Sequence, residues 1–154
     1  MKPIAVGSDN AGAALRRAVA DHLRALGYEV VDYGVDDESR SYPTVAFDVA
    51  ERTAAGRHER AVLCCGTGIG MAIAANKVPG VYAATCHDVY SAERARKSNN
   101  AQILTMGQRV VGTELALKIV DAWLASEFEH GRSDAKVALI VEHERELLGA
   151  KAAQ

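Results

Sequence analysis

A chain of 154 residues is long enough to bury one sizeable core and short enough to form a single domain. Hydrophobic residues make up 49% and charged residues 25%, a balance that excludes intrinsic disorder. The formal net charge of −2, with Lys and Arg scattered, leaves no basic footprint for nucleic acid, and no apolar run approaches membrane-spanning length.

In chain order, Ile4-Ala5-Val6 reads as a short strand ending at Gly7. Polar Ser8-Asp9-Asn10 follows too soon for the apolar core of a secretory signal. Leu15, Ala18, Val19, Leu23 and Leu26 recur at helical spacing, and Gly27 closes that helix. Glu29 to Tyr33 is a β-branched strand. Asp36 to Tyr42 is a polar loop, and Pro43 suits the first turn of a helix running to about Ala55. Ala61 to Cys64 is the third strand, and the glycine-rich run after it opens a helix. Val81 to Thr85 is the fourth strand, with a helix from about Asp88 to Ser98 behind it. Gln102 to Met106 is the fifth. Leu115, Ile119, Ala122 and Trp123 form one face of the next helix. A last helix spans about Asp134 to Leu148, with a frayed tail to Gln154.

Strands alternating with helices predict an α/β fold: one Rossmann-like three-layer domain over residues 1–154, with a five-stranded parallel sheet and helices on both faces. Such sheets bind ligands beyond the carboxyl ends of their strands, at a topological switch point. Five clusters fall at that edge: Ser8-Asp9-Asn10, Tyr42, Cys65 to Gly70, His87 and Gly107-Gln108-Arg109.

The glycine loop Cys65-Gly66-Thr67-Gly68-Ile69-Gly70 lacks both the dinucleotide fingerprint and the Gly-Lys-Ser/Thr of a P-loop, which argues against a nucleotide-binding module. A loop that cradles a substrate and a tight structural turn both remain open. Cys65, at a strand end next to a helix start, is placed where a thiol ionises readily and serves as base or nucleophile. Cys64 points to the other side and suits the core. The cysteines Cys64, Cys65 and Cys86 are odd in number and lack a C-x-x-C, so neither a disulfide framework nor a zinc site is expected; the chain reads as cytoplasmic. Asp9 can cap a helix or accept bonds from substrate hydroxyls. Arg109, Arg132 and Lys136 are either solvated charges or a phosphate clamp; Arg132 and Lys136, four apart, would share a helix face. Of the five histidines, His22, His58, His130 and His143 read as surface residues, whereas His87 sits at a strand end, to cap the next helix or to handle a proton.

These motifs, with Ala74-Ala75-Asn76-Lys77, Tyr90-Ser91-Ala92, Ser98-Asn99-Asn100-Ala101 and Gly107-Gln108-Arg109-Val110-Val111-Gly112, occur in the order expected of a known family. From Ile4 to about Lys136 the chain resembles type B ribose-5-phosphate isomerases and the related galactose-6-phosphate isomerases. The resemblance implies interconversion of a phosphorylated aldose and ketose, without metal or cofactor, in sites shared between the subunits of a homodimer or homotetramer. The C-terminal helix at about 134–148 would pack on the neighbouring subunit. Cys65 would be the base and Thr67 would assist proton traffic between the oxygens. Backbone amides of Gly66, Gly68, Ile69 and Gly70 would hold the enediolate. Asp9, Asn10, Tyr42 and Asn99 would face the sugar, and Arg109, Arg132 and Lys136 the phosphate. A cysteine at 65 and Met71 place the chain with the cysteine branch. Retention of Cys65 and Thr67 argues against a non-catalytic subunit of a hetero-oligomer.

Two departures stand out. The family usually carries histidine at the positions of Asn10 and Ser98, the latter as ring opener. Serine is a poor general acid near neutral pH. Either His87 substitutes, or the substrate needs no ring opening. A tetrose 4-phosphate meets the second condition, because its phosphorylated O4 cannot close a furanose. Tyr90 to Ala95 together with Ser98 to Gln102 also resembles the erythrulose 4-phosphate branch.

Overall fold

The computed structural model describes residues 2–152. Within the described residues five strands and six helices alternate: β1 (Ile4–Ser8), α1 (Ala13–Ala25), β2 (Val30–Asp32), α2 (Tyr42–Ala54), β3 (Ala61–Cys65), α3 (Ile69–Ala75), β4 (Ala83–Thr85), α4 (Val89–Lys97), β5 (Ile103–Gly107), α5 (Thr113–Leu124) and α6 (Asp134–Ala152). A 3₁₀ turn, Asn10–Gly12, joins β1 to α1. The sheet is parallel throughout, in the order β2-β1-β3-β5-β4.

The apolar runs of β1, β3 and β5 are buried along their whole length, because these are the three inner strands and both faces are covered. Alternation along each strand divides the core. One half gathers Val6, Val62, Cys64, Leu104 and Met106 with α1, α4 and α5. The other gathers Ala5, Leu63, Cys65 and Ile103 with α2 and α3. The expected three layers are therefore present. β1 and β3 are neighbours from which the chain departs towards opposite edges, so the switch point lies between their carboxyl ends.

Three expectations are corrected. The edge strands are shorter than the apolar runs suggest: β2 loses Glu29 and Tyr33, and β4 starts at Ala83 rather than Val81. The last helix continues to Ala152, so residues 149–152 are helical rather than a frayed tail; Gln154 lies outside the described residues. His58 is not a surface residue. It is buried, with Nδ1 donating to the Pro3 carbonyl and Nε2 accepting from the Tyr33 hydroxyl, each at 2.8 Å. Among the described residues no helix is long and apolar enough to cross a membrane. Helix α6 buries none of its residues and leaves Leu139, Ile140, Leu147 and Leu148 exposed.

Candidate active site

Cys65 is the last residue of β3, and its parity places it opposite Cys64. Cys64 is enclosed by the α1/α5 half of the core, where burial pushes its thiol well above the ordinary range. Burial likewise raises Cys86, to about 11. Cys65 instead reaches the wall of a cleft of about 450 Å³ lined by Asp9, Ala11, Tyr42, Cys65, Gly66, Thr67, Ile69, Gly70, Ile73 and Arg109. Eight of the expected site residues thus meet at the switch point, where the thiol shares one cleft with an acidic and a basic side chain.

Local geometry explains why the loop needs its glycines. Gly68 has φ +78°, a left-handed conformation, and a Cβ there would lie 2.8 Å from the Met106 carbonyl carbon. In that conformation the Gly68 N–H donates to Cys65 Sγ at 3.1 Å, and the Ile69 N–H lies 3.4 Å from Thr67 Oγ1. The Gln108 and Arg109 amides donate to the Cys65 and Gly66 carbonyls at 2.9 and 3.0 Å, which lays the end of β5 along the loop and brings Arg109 over Gly66. On the other side Gly12 is pressed against the Cys64–Cys65 peptide, where a Cβ would meet the Cys64 carbonyl at 2.5 Å. Asp9 does cap the 3₁₀ turn, its Oδ1 accepting from the Gly12 N–H at 3.2 Å, and its side chain still borders the cleft.

Other expected residues stand apart. Asn10 is exposed on the 3₁₀ turn and does not line the cleft. His87 is behind the loop: its Nε2 accepts from the Gly107 N–H at 2.9 Å. Asp88, rather than His87, caps α4, accepting from the Ser91 N–H at 2.7 Å. Ser98 and Asn99 follow α4, which runs antiparallel to the strands and delivers them to the far edge of the sheet. Arg132, in the turn before α6, and Lys136, in its first turn, are exposed and do not line the cleft of their own chain.

Two residues near the site carry no signal that the sequence patterns above pick up. Arg16 is buried and ties β1 to the β2–α2 loop: it donates to Ser8 Oγ at 2.8 Å, the Val35 carbonyl at 2.9 Å and Asp36 at 2.6 Å, and pairs with Asp32 at 3.1 Å. Its one hint is its place beside Leu15 on the inward side of α1. Thr105, fully buried in β5, is the other.

A parallel α/β sheet carrying a thiol, a glycine loop and an arginine at its switch point defines a class of small-molecule enzymes, and similarity to known proteins narrows it. The family model for ribose/galactose isomerases matches residues 4–140. Over 148 residues the chain is 50% identical to the D-erythrulose-4-phosphate isomerase of Pectobacterium atrosepticum, spanning 95% of this chain and 97% of that one. Over 140 residues it is 48% identical to the ribose-5-P isomerase B of Listeria innocua, spanning 90% and 95%. The solved ribose-5-phosphate isomerase B of Clostridium thermocellum superposes with a TM-score of 0.91 at 48% identity, covering 96% of this chain and 99% of that one. The chain belongs to the ribose/galactose isomerase family and is an enzyme of the isomerase class.

Proposed function

We propose that this protein interconverts an aldose phosphate and its ketose through a cis-enediolate, and that the pair is erythrose 4-phosphate and erythrulose 4-phosphate. The observation that carries the chemistry is the Cys65 thiol in the cleft wall beside loop amides and Arg109. As thiolate, Cys65 takes the C2 proton of the open-chain aldose. The electron pair left behind forms the C1–C2 double bond, and negative charge moves to O1. Amides of residues 66–70 hold the enediolate oxygens. Thr67 passes the O2 proton to O1, and Cys65 returns its proton to C1, which leaves the carbonyl at C2. The step needs no metal and no cofactor.

The tetrose reading rests on two residue types: Asn10 and Ser98 stand where the family usually has histidine, and among the described residues no histidine of the same chain lines the cleft either. An open or hydrated tetrose phosphate needs no ring opener. The 48% identity to a ribose-5-phosphate isomerase keeps ribose 5-phosphate as the second reading.

The position of Ser98, Asn99, Arg132 and Lys136 outside their own cleft supports a site completed by a second copy in a homodimer or homotetramer. Helix α6, with its uncovered Leu139, Ile140, Leu147 and Leu148, would pack on that copy. Arg109 from one chain, with Arg132 and Lys136 from the next, would then clamp the phosphate. Three free cysteines suit a reducing cytoplasm. The test is kcat/KM on both sugar phosphates: a clear preference for ribose 5-phosphate removes the tetrose assignment, and turnover of neither removes the isomerisation proposed.

A further inference from the structure

Thr105 is out of character for its strand. Its neighbours are Ile103, Leu104 and Met106, all fully buried, and it is as buried as they are. A hydroxyl enclosed this way must find partners. It donates to the Gly68 carbonyl at 2.9 Å and lies 2.8 Å from the Thr85 hydroxyl. The Thr85 hydroxyl lies 3.4 Å from the same carbonyl; with the Thr105 proton on Gly68 at the shorter distance, Thr85 donates to Thr105, so the two hydroxyls form a directed chain. The parallel register sets Thr85 directly opposite Thr105. Two valines would pack that pair of positions as well, and the only use the sheet makes of the hydroxyls is to hold Gly68.

Gly68 is where the loop turns. Its carbonyl also accepts the Ala72 N–H at 3.2 Å, the first turn of α3, so it is held from the helix as well as from the sheet. Its N–H is on Cys65 Sγ. A trans peptide places C=O and N–H on opposite sides. Drawing the Gly68 carbonyl inward to Thr105 therefore turns the Ile69 N–H outward, towards Thr67 Oγ1 and the cleft.

We infer that the Thr85–Thr105 hydroxyl pair is a positioning device for the reaction: by anchoring the Gly68 carbonyl it turns the Ile69 amide towards the cleft, and it holds Gly68 in the left-handed conformation that keeps the Gly68 N–H on the thiol. The inference rests on the proton-transfer role of Cys65 proposed above. Thr105 and Thr85 touch no reacting atom and act only through Gly68.

Thr105→Val removes the hydroxyl at nearly constant volume, and Thr105→Ser keeps it. The Val variant is expected to lose about tenfold to a hundredfold in kcat with KM changed by less than about threefold, the pattern of weakened transition-state stabilisation. The Ser variant is expected to stay within about threefold of the parent. Iodoacetamide labelling gives a readout that loosening alone would move the other way. Cys65 reacts more slowly in Thr105→Val if its amide donor has turned away, and faster if the loop has merely opened. Cys65 is only 5% exposed but lines the cleft, whereas Cys64 and Cys86 do not and burial raises their pKa values, so the labelling that disappears in Cys65→Ala reports Cys65. Thr85→Val, at the exposed end of the pair, is the second variant and is expected to lower kcat by about threefold, folding even if Thr105→Val does not. Parent kcat in Thr105→Val, equal losses in Val and Ser, a loss in KM alone, faster labelling, or, where Thr105→Val fails to fold, parent kcat in Thr85→Val each overturns the inference. Cys65→Ala separates the two levels: full turnover there overturns the proton-transfer role itself, whereas an inactive Cys65→Ala beside a fully active Thr105→Val overturns only the positioning.

Discussion

Asn76 and Ala83 exchange two hydrogen bonds, Asn76 Nδ2 to the Ala83 carbonyl and the Ala83 N–H to Asn76 Oδ1, each at 2.8 Å. That is the pattern a neighbouring strand would offer, and β4 is an edge strand with β5 as its one strand partner. The side chain, projected from the end of α3, thus covers an edge that would otherwise be open to another chain. The Ala-Ala-Asn-Lys motif owes its asparagine to this pairing rather than to the cleft, which Asn76 does not line. Asn76→Ala is expected to cost about 1–3 kcal/mol for the two bonds together, with little change in KM. Urea unfolding measures the first and steady-state kinetics the second; an unchanged urea midpoint removes the edge-covering role.

Cys65→Ser tests the proposed proton-transfer role of Cys65 with the loop intact. The serine oxygen can still accept from the Gly68 N–H, so substrate binding should hold, but a hydroxyl is a far weaker base than a thiolate. A fall of about 10²- to 10⁴-fold in kcat is expected, the range for loss of a general base. Deuterium incorporation from D₂O into the sugar should fall in parallel. Rapid exchange without net isomerisation would assign the abstraction step to another group.

How far the sequence carries these conclusions depends on the kind of interaction. β1, β3 and β5 are legible because inner parallel strands must be apolar on both faces, and Asp9, Tyr42, Cys65 and Arg109 because each follows a strand or opens a helix at the binding edge. Thr105 and Arg16 are not legible in the same way. Their partners, Gly68 and Asp36, become neighbours only once the strand order is known, and a lone Thr or Arg carries no periodic signal. His58 is similar: nothing local shows that Tyr33 and the Pro3 carbonyl enclose it. Gly149 misleads in the other direction, since one glycine costs a helix only about 1 kcal/mol and α6 runs through it.

Acid should loosen the β2–α2 loop through a specific carboxylate. The hydrogen bond from Arg16 holds Asp36 below its ordinary 3.8; desolvation opposes this, and the charges of Arg16 and Arg17 add to it. A carboxyl depressed on folding contributes stability above its unfolded value, and that contribution is lost as pH falls through the lower folded value. The urea midpoint of the parent should therefore drop more steeply than that of Asp36→Asn as pH is taken from about 5 to about 3. The Asp36 carboxylate is exposed, so added salt should reduce the difference. Equal slopes for parent and variant would show that Arg16 holds the loop through Val35 and Asp32 without help from Asp36.

Gly70 lies in the first turn of α3, and a Cβ there would approach the Tyr42 ring carbon Cε2 at 2.5 Å. The obstacle is a ring with 41% of its surface exposed rather than a strand backbone, so it can swing aside. Gly70→Ala therefore separates stability from function. The helix gains up to about 1 kcal/mol from replacing glycine by alanine, while Tyr42 is driven from the wall it shares with Cys65 and Asp9. The expected result is a Tm at or above the parent value with KM raised several-fold, the pattern that follows if Tyr42 has the proposed role of orienting substrate hydroxyls in the ground state and the transition state alike. Tyr42→Phe, which keeps the ring and removes the hydroxyl, should reproduce the rise in KM without the gain in Tm. A destabilised Gly70→Ala with unchanged KM would mean that the ring cannot move and that Gly70 serves packing instead.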